Sequence, residues 1–320
     1  MKPVLVHRPD YDLSLYGLER LHPFDGHKFS RAWALVARRL GSGAGAFARG
    51  PDGPVTDEDL RRVHTADYLQ SLGSPAVVAR ALEVRALRFL PSGLMARHIL
   101  TPMRLAVAGT ILAMQEALSA GGAIAMNLGG GFHHAFRDHG EGFCLYADAA
   151  VAIAAARARG LLSATDPIAV VDLDAHRGNG FWDACGADPA IHVLDLYNFQ
   201  TYPGLFPGDP DAYPFQIPLK ANSADGPYLD TVREELPKFL QAIPRPRVVI
   251  YNAGTDIVRG DPVGRLAVSP EGVRERDRLV LTALIERDLP AVIVTSGGYT
   301  ARSHELIAEL AIAVVERLRG

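Results

Sequence analysis

Cysteine is nearly missing from this chain: Cys144 and Cys185 are the two in 320 residues. Two cannot build a disulfide framework, and their scarcity points to a reducing compartment. No apolar run approaches the length of a membrane span. The opening Met1-Lys2-Pro3-Val4-Leu5-Val6-His7-Arg8 turns polar too soon for a signal peptide. Basic residues do not outnumber acidic ones (33 Lys and Arg against 36 Asp and Glu, formal net charge −3), so the clustered basic face that nucleic acid needs is not expected. Low-complexity linkers, charge blocks and internal repeats are absent too. These absences predict a soluble, cytoplasmic protein with one compact domain over residues 1–320 and no membrane or nucleic-acid partner. Two catalytic signatures are also lacking. Gly129-Gly130-Gly131 has neither the P-loop Lys-Ser/Thr nor the spaced G-x-G-x-x-G, and no serine occupies a nucleophile elbow.

What is present is an ordinary globular balance, 48% hydrophobic and 22% charged, with ample material for a large core. Short apolar runs read as strands: Val4–Val6, Ala123–Met126, Ile168–Val171, Ile191–Leu194, Val248–Tyr251 and Ala291–Val294. Between them lie amphipathic or Ala-rich helical stretches: Lys28–Leu40, Met103–Leu118, Ala147–Arg159, Tyr228–Ala242, Pro270–Arg287 and Ser303–Leu318. Ser269-Pro270-Glu271 is an N-cap followed by proline at the first helical position. Strand–helix alternation with wholly apolar strands predicts an α/β fold, a mostly parallel sheet covered by helices on both faces. In such sheets ligands bind beyond the carboxyl ends of the strands.

The densest chemistry follows Ile168–Val171, in Asp172-Leu173-Asp174-Ala175-His176. In an extended strand alternate side chains share a face, so the two acids and the histidine are expected to point together. With no Lys or Arg between them they repel unless a cation is bound or one is protonated, and a metal site is the economical reading. Three more strand ends add to it. Ala123–Met126 leads into Gly129-Gly130-Gly131-Phe132-His133-His134, whose glycines bring two imidazoles suited to acid–base work close to a ligand. Val248–Tyr251 leads into Asn252-Ala253-Gly254-Thr255-Asp256, which makes Asp256 the natural third ligand. Ala291–Val294 leads into Gly297-Gly298-Tyr299, a phenol on a flexible glycine turn, placed to donate to an oxyanion. Asp174, His176 and Asp256 leave room for water, the composition of a catalytic metal site, and a metal that polarises a carbonyl and activates water implies hydrolysis. Asp138, His139 and Glu141 read as a solvated loop, and Cys144 shows no base pairing.

These residues resemble the zinc-dependent histone deacetylase family, most closely its class IV branch. The motifs carrying the resemblance run from Gly17-Leu18-Glu19-Arg20-Leu21-His22-Pro23-Phe24-Asp25 through Gly129–His134, Gly142-Phe143-Cys144, Asp172–Gly180, Tyr251–Asp256 with Gly260-Asp261, and Thr295–Tyr299. The resemblance implies an arginase/deacetylase-like fold and hydrolysis of an N-acyl amide, typically acyl-lysine. By the same resemblance Asp174, His176 and Asp256 are the metal ligands, for Zn²⁺ at one per chain, with Fe²⁺ compatible with a sulfur-free set. His133 and His134 match the tandem catalytic histidines, His134 as general base, with Asp172 behind His133. Tyr299 matches the oxyanion tyrosine. Gly142 and Phe143 match one wall of the substrate tunnel and Phe206 the other. Asp172, Asp174 and Asp195 are implied to hold a structural monovalent cation such as K⁺. One departure stands out: Asn179 occupies the place behind the second histidine where many deacetylases have aspartate, and Asn is typical of class IV.

The expected activity is therefore metal-dependent removal of an acyl group from an acylated protein lysine or a small acylated amine such as an acylpolyamine. An arginase-like ureohydrolase, which would use two metals, and a non-catalytic acyl-lysine binder are the alternatives. The aperiodic apolar segment Leu87–Met95 is read either as a loop packed on the core or as an acyl pocket lined by Phe89, Leu90, Leu94 and Met95.

Overall fold

The computed structural model describes residues 1–14, 24–205 and 215–319. All six expected strands form: β1 Lys2–Val6, β3 Ala123–Asn127, β4 Ile168–Asp172, β5 Ile191–Asn198, β7 Val248–Asn252 and β8 Ala291–Val294. Two short strands join them at the edges, β2 Ala48–Arg49 and β6 Gln216–Leu219, too brief to carry a periodic signal. One eight-stranded sheet results, in the order β2-β1-β3-β8-β7-β4-β5-β6, every pair parallel.

The apolar strands are apolar because both faces are covered. Ile168 and Val170 of β4 enter one core cluster while Ala169 and Val171 enter the other. Val248 and Ile250 of β7 likewise oppose Val249 and Tyr251. Burying one such Val or Ile fully contributes roughly 1.5–3 kcal/mol, so two-sided strands anchor the centre of the fold. The long helices begin and end within a few residues of their expected limits, among them Lys28–Leu40, Thr101–Ala117, Pro270–Glu286 and Ser303–Arg319. Ser269 caps the third of these, its Oγ accepting the Gly272 N–H at 2.9 Å. The aperiodic segment is not an extended loop. It folds as a 3₁₀ turn at Arg85–Phe89 and a short helix at Ser92–Met95, continued by a π-helical turn at Ala96–Leu100.

The strand order decides where the polar segments meet. Strands β3, β8, β7 and β4 are immediate neighbours, so the four chemistry-bearing segments leave the sheet side by side. Arg276, fully buried in the Pro270–Glu286 helix, ties two of those exits together. It donates to the Leu173 carbonyl at 3.2 Å after β4 and to the Gly254 carbonyl at 2.6 Å after β7. Its charge is met by Asp277 at 2.8 Å, which also accepts from the Tyr251 hydroxyl. Arg276→Met keeps much of the volume but leaves Asp277 buried without its cation. Breaking a buried pair in this way costs about 3–5 kcal/mol, so the urea midpoint of the variant should fall steeply; a loss below about 1 kcal/mol would show that the arginine is dispensable to the fold.

Candidate active site

β4 ends at Asp172, and the chain turns through Asp174 and His176 rather than running on extended. The alternation expected for an extended strand therefore fails at its first member. Asp172 points to His133, with 2.8 Å between Oδ2 and the ring Nδ1, while Asp174 and His176 close on each other. The His176 N–H donates to Asp174 Oδ1 at 2.9 Å, and His176 Nδ1 lies 3.0 Å from that oxygen and 2.9 Å from Asp256 Oδ2. Asp174, His176 and Asp256 are all buried, and a ligand atom from each lies within 4.8 Å of the others.

Two carboxylates this close need a positive charge between them. Burial and the charge of Asp174 push Asp256 up to about 7. Burial alone would lower His176, but the two carboxylates outweigh it and hold the imidazole well above its usual range. Without an ion, then, the cluster keeps protons that a divalent cation would replace. The donor set fits such a cation. Asp256 Oδ1 accepts the Ala175 N–H at 2.9 Å, whereas Oδ2 faces His176 Nδ1. The glycines before Tyr299 serve this crowding more than flexibility: a Cβ on Gly297 would stand 2.1 Å from Asp256 Oδ2.

The tandem histidines lie beside this cluster, their ring centroids 4.1 Å apart, and differ in what stands behind them. Asp172 backs His133 and is itself held by Asn252 Nδ2 at 2.9 Å. His134 Nδ1 instead faces Asn179 Oδ1 at 2.6 Å. Burial disfavours both imidazolium forms. At His133 the charges of Asp172 and Asp174 outweigh it and raise the pKa to about 9. At His134 burial, with the neighbouring His133 and His176, holds the pKa well below the ordinary value. Two adjacent histidines are thus set apart, one protonated and one neutral near pH 7.

Tyr299 stands 6.5 Å from the His176 ring and 5.7 Å from Phe143, centroid to centroid, with its backbone N–H fixed on Asp261 Oδ2 at 2.8 Å. Burial and the nearby carboxylates keep its phenol protonated far above the usual range, which preserves it as a donor. Gly142 lies against His134, where a Cβ would sit 2.5 Å from the ring. Gly142, Phe143, both histidines, Asp174 and Tyr299 line one cavity. Its other walls are largely apolar and include Phe29, Leu82, Leu87, Ile99 and Met103. The pocket expected from Phe89, Leu90, Leu94 and Met95 is not built by those side chains. Phe89 is 76% exposed and Leu94 36%, Leu90 packs against the core, and Met95 is buried in it. Phe206 and residues 17–23 of the first motif lie outside the described residues.

Several positioning groups escape a sequence reading. Asp148, an acid in an otherwise Ala-rich helix, accepts from the Gly131 and Phe132 N–H groups at 3.0 and 2.7 Å and so fixes the loop that carries the histidines. Lys28 is buried with its Nζ on the Ser296 carbonyl at 2.8 Å; burial lowers its pKa to about 8 against the pull of Asp256 and Asp174. Glu141, part-exposed as expected, also accepts from the Tyr202 hydroxyl. The acid within an Ala run was a usable signal; the other two needed the fold.

Against known proteins, the histone deacetylase domain family matches residues 22–315. The chain is 39% identical over 313 residues to histone deacetylase 2 of Arabidopsis thaliana, covering 96% of this chain and 77% of that protein. It is 30% identical over 298 residues to the acetoin utilization protein AcuC of Bacillus subtilis (strain 168), covering 87% and 72%. Among solved structures, an HDAC homolog from Aquifex aeolicus superposes with a TM-score of 0.75 at 21% identity, over 99% of this chain and 84% of that one, a likeness of fold.

A cation held by three side chains would be lost with any one of them, while the sheet should stay intact. The wild type is expected to take up one divalent ion and Asp256→Ala to lose it, as read by elemental analysis after dialysis. Full occupancy in that variant, or two transition ions per wild-type chain, would show that the ligand set is wrong.

Proposed function

The chain belongs to the histone deacetylase family of the arginase/deacetylase superfamily, and we propose that it hydrolyses N-acyl amines, acyl-lysine foremost, using one divalent ion held by Asp174, His176 and Asp256. The observation that carries this reading is the pair of adjacent histidines, one backed by Asp172 and the other by Asn179, beside an open three-ligand cluster on an apolar cavity. The ion, Zn²⁺ or Fe²⁺ by the chemistry of its donors, would supply the Lewis acidity that polarises an acyl carbonyl and acidifies water.

The chain's own residues do the rest. His134, neutral, takes a proton from water at Nε2, the nitrogen turned away from Asn179. Tyr299 donates to the oxygen that gains charge as the carbonyl carbon becomes tetrahedral. His133, held protonated by Asp172, gives its proton to the amine nitrogen as the C–N bond breaks. Phe143 and Gly142 flank the acylated side chain. Asp172, Asp174 and Asp195 would hold a monovalent cation such as K⁺; buried Asp195 Oδ1 has no hydrogen-bond partner, which suits that role. Asn179 supports a place in the class IV branch, and the scarcity of cysteine a cytoplasmic location. Small acylated amines, acylpolyamines among them, fit the same chemistry. A ureohydrolase fits less well, because among the described residues one ligand cluster comes together and not two. A silent binder would have no use for the split pair of histidines.

Two outcomes test the reading. Tyr299→Phe keeps the ring and removes the donor, so kcat should fall roughly 10²–10³-fold while ion content is retained; an unchanged kcat would assign the tyrosine another role. The cavity's apolar lining also favours acyl groups longer than acetyl, since each buried methylene contributes up to about 0.8 kcal/mol. Across a series of acyl-lysine and acylpolyamine substrates, kcat/KM should rise with chain length, and Met103→Trp should flatten that rise. If acetyl is best throughout, the length preference is wrong and the hydrolase assignment stands alone.

A further inference from the structure

A carboxylate behind an imidazole can only accept, so it always draws the ring proton to Nδ1 and leaves Nε2 free. An amide is ambiguous: turned one way it accepts, turned the other it donates to Nδ1 and forces the proton onto Nε2. The Asn179 amide therefore needs something to fix its direction. Gly180 N–H holds Asn179 Oδ1 at 3.0 Å, the oxygen that His134 Nδ1 also meets at 2.6 Å. The far end of the amide is held as well: Asn179 Nδ2 donates to the Tyr202 hydroxyl oxygen at 3.1 Å. Tyr202 can accept there because its own proton is directed to Glu141 Oε2. Glu141 Oε2 accepts there, and on its other side His139 Nε2 lies 3.4 Å from Oε1. The Tyr202 ring also packs edge-on against His134, centroids 5.0 Å apart.

We infer that Glu141 and Tyr202 are positioning residues that orient the Asn179 amide, and through it the tautomer of His134, by a one-way hydrogen-bond series from Glu141 through Tyr202 and Asn179 to His134. The inference rests on His134 being the base. Each bond in the series polarises the next, so the carboxylate that other family members place directly behind the histidine acts here from three bonds away. The amide conducts no proton in this arrangement. It passes on direction and partial charge.

The experiment compares Tyr202→Phe, Glu141→Gln and Asn179→Asp with the wild type, all ion-loaded, at mildly alkaline pH, by steady-state kinetics and by ¹⁵N NMR of the histidine ring nitrogens. Tyr202→Phe keeps the ring packing and removes the acceptor. Its kcat should fall about fivefold, the worth of one hydrogen bond, with KM little changed, and a share of His134 should move to the Nε2–H tautomer. Glu141→Gln should shift both readouts the same way by less. Added to Asn179→Asp, which accepts whichever way it lies, Tyr202→Phe should cost less than twofold. An equal loss in the Asn and Asp backgrounds, or a His134 tautomer unmoved by Tyr202→Phe, would overturn the series. If the wild type hydrolyses no acylated amine, the functional reading fails while the NMR still decides the orientation of the amide.

Discussion

Buried charge must be paired, and this fold is organised around that demand. Asp172, Asp174, Asp195 and Asp256 are all buried at one edge of one sheet, where leaving a single carboxylate unmatched would cost several kcal/mol. The surrounding structure answers with positive groups and directed N–H bonds: His133 on Asp172, His176 between Asp174 and Asp256, and the Gly178 N–H on Asp195. Arg276 closes the ring from behind by gathering the carbonyls of the same loops. Asp174, His176 and Asp256 bring their ligand atoms within 4.8 Å of one another at the centre of this arrangement.

The same electrostatics separates the two histidines. Equal residues, adjacent in sequence, are driven in opposite directions because an acid stands behind one and an amide behind the other. An amide cannot hold an imidazolium as a carboxylate does, so His134 is driven toward the neutral form while His133 is driven toward the protonated one. What lies behind each ring, Asp172 at the end of β4 and Asn179 in the segment after it, sets the two histidines apart.

Much of this was legible in the chain because apolar runs mark strands and the polar residues just after them mark the site. The rule that ligands gather beyond strand ends brought Asp174, His176, Asp256, Tyr299 and the two histidines together without a structure. It did not foresee the turn after β4, where hydrogen bonds from backbone N–H groups to carboxylates override strand geometry and send Asp172 to His133. It misplaced the apolar wall, since Leu87–Met95 has no period from which to tell which side chains face inward, and short helices there turn Phe89 and Leu94 outward. Glu141 and Tyr202 were invisible for a different reason. They lie 61 residues apart, and nothing in either local sequence announces a partner.

The order of strands in the sheet has a consequence for how the molecule comes into being. β8 is the last strand in the chain, yet it lies in the middle of the sheet, between β3 and β7. The strands of both halves, β2-β1-β3 and β7-β4-β5-β6, precede in the chain the strand that joins them. A half that formed without β8 would present an unpaired inner edge, a template for wrong pairing. Insertion of β8 seals both edges, and the same stroke delivers Gly297 and Tyr299 to the acids. A chain that has not yet made its final strand has no completed site, so maturation and competence arrive in one event.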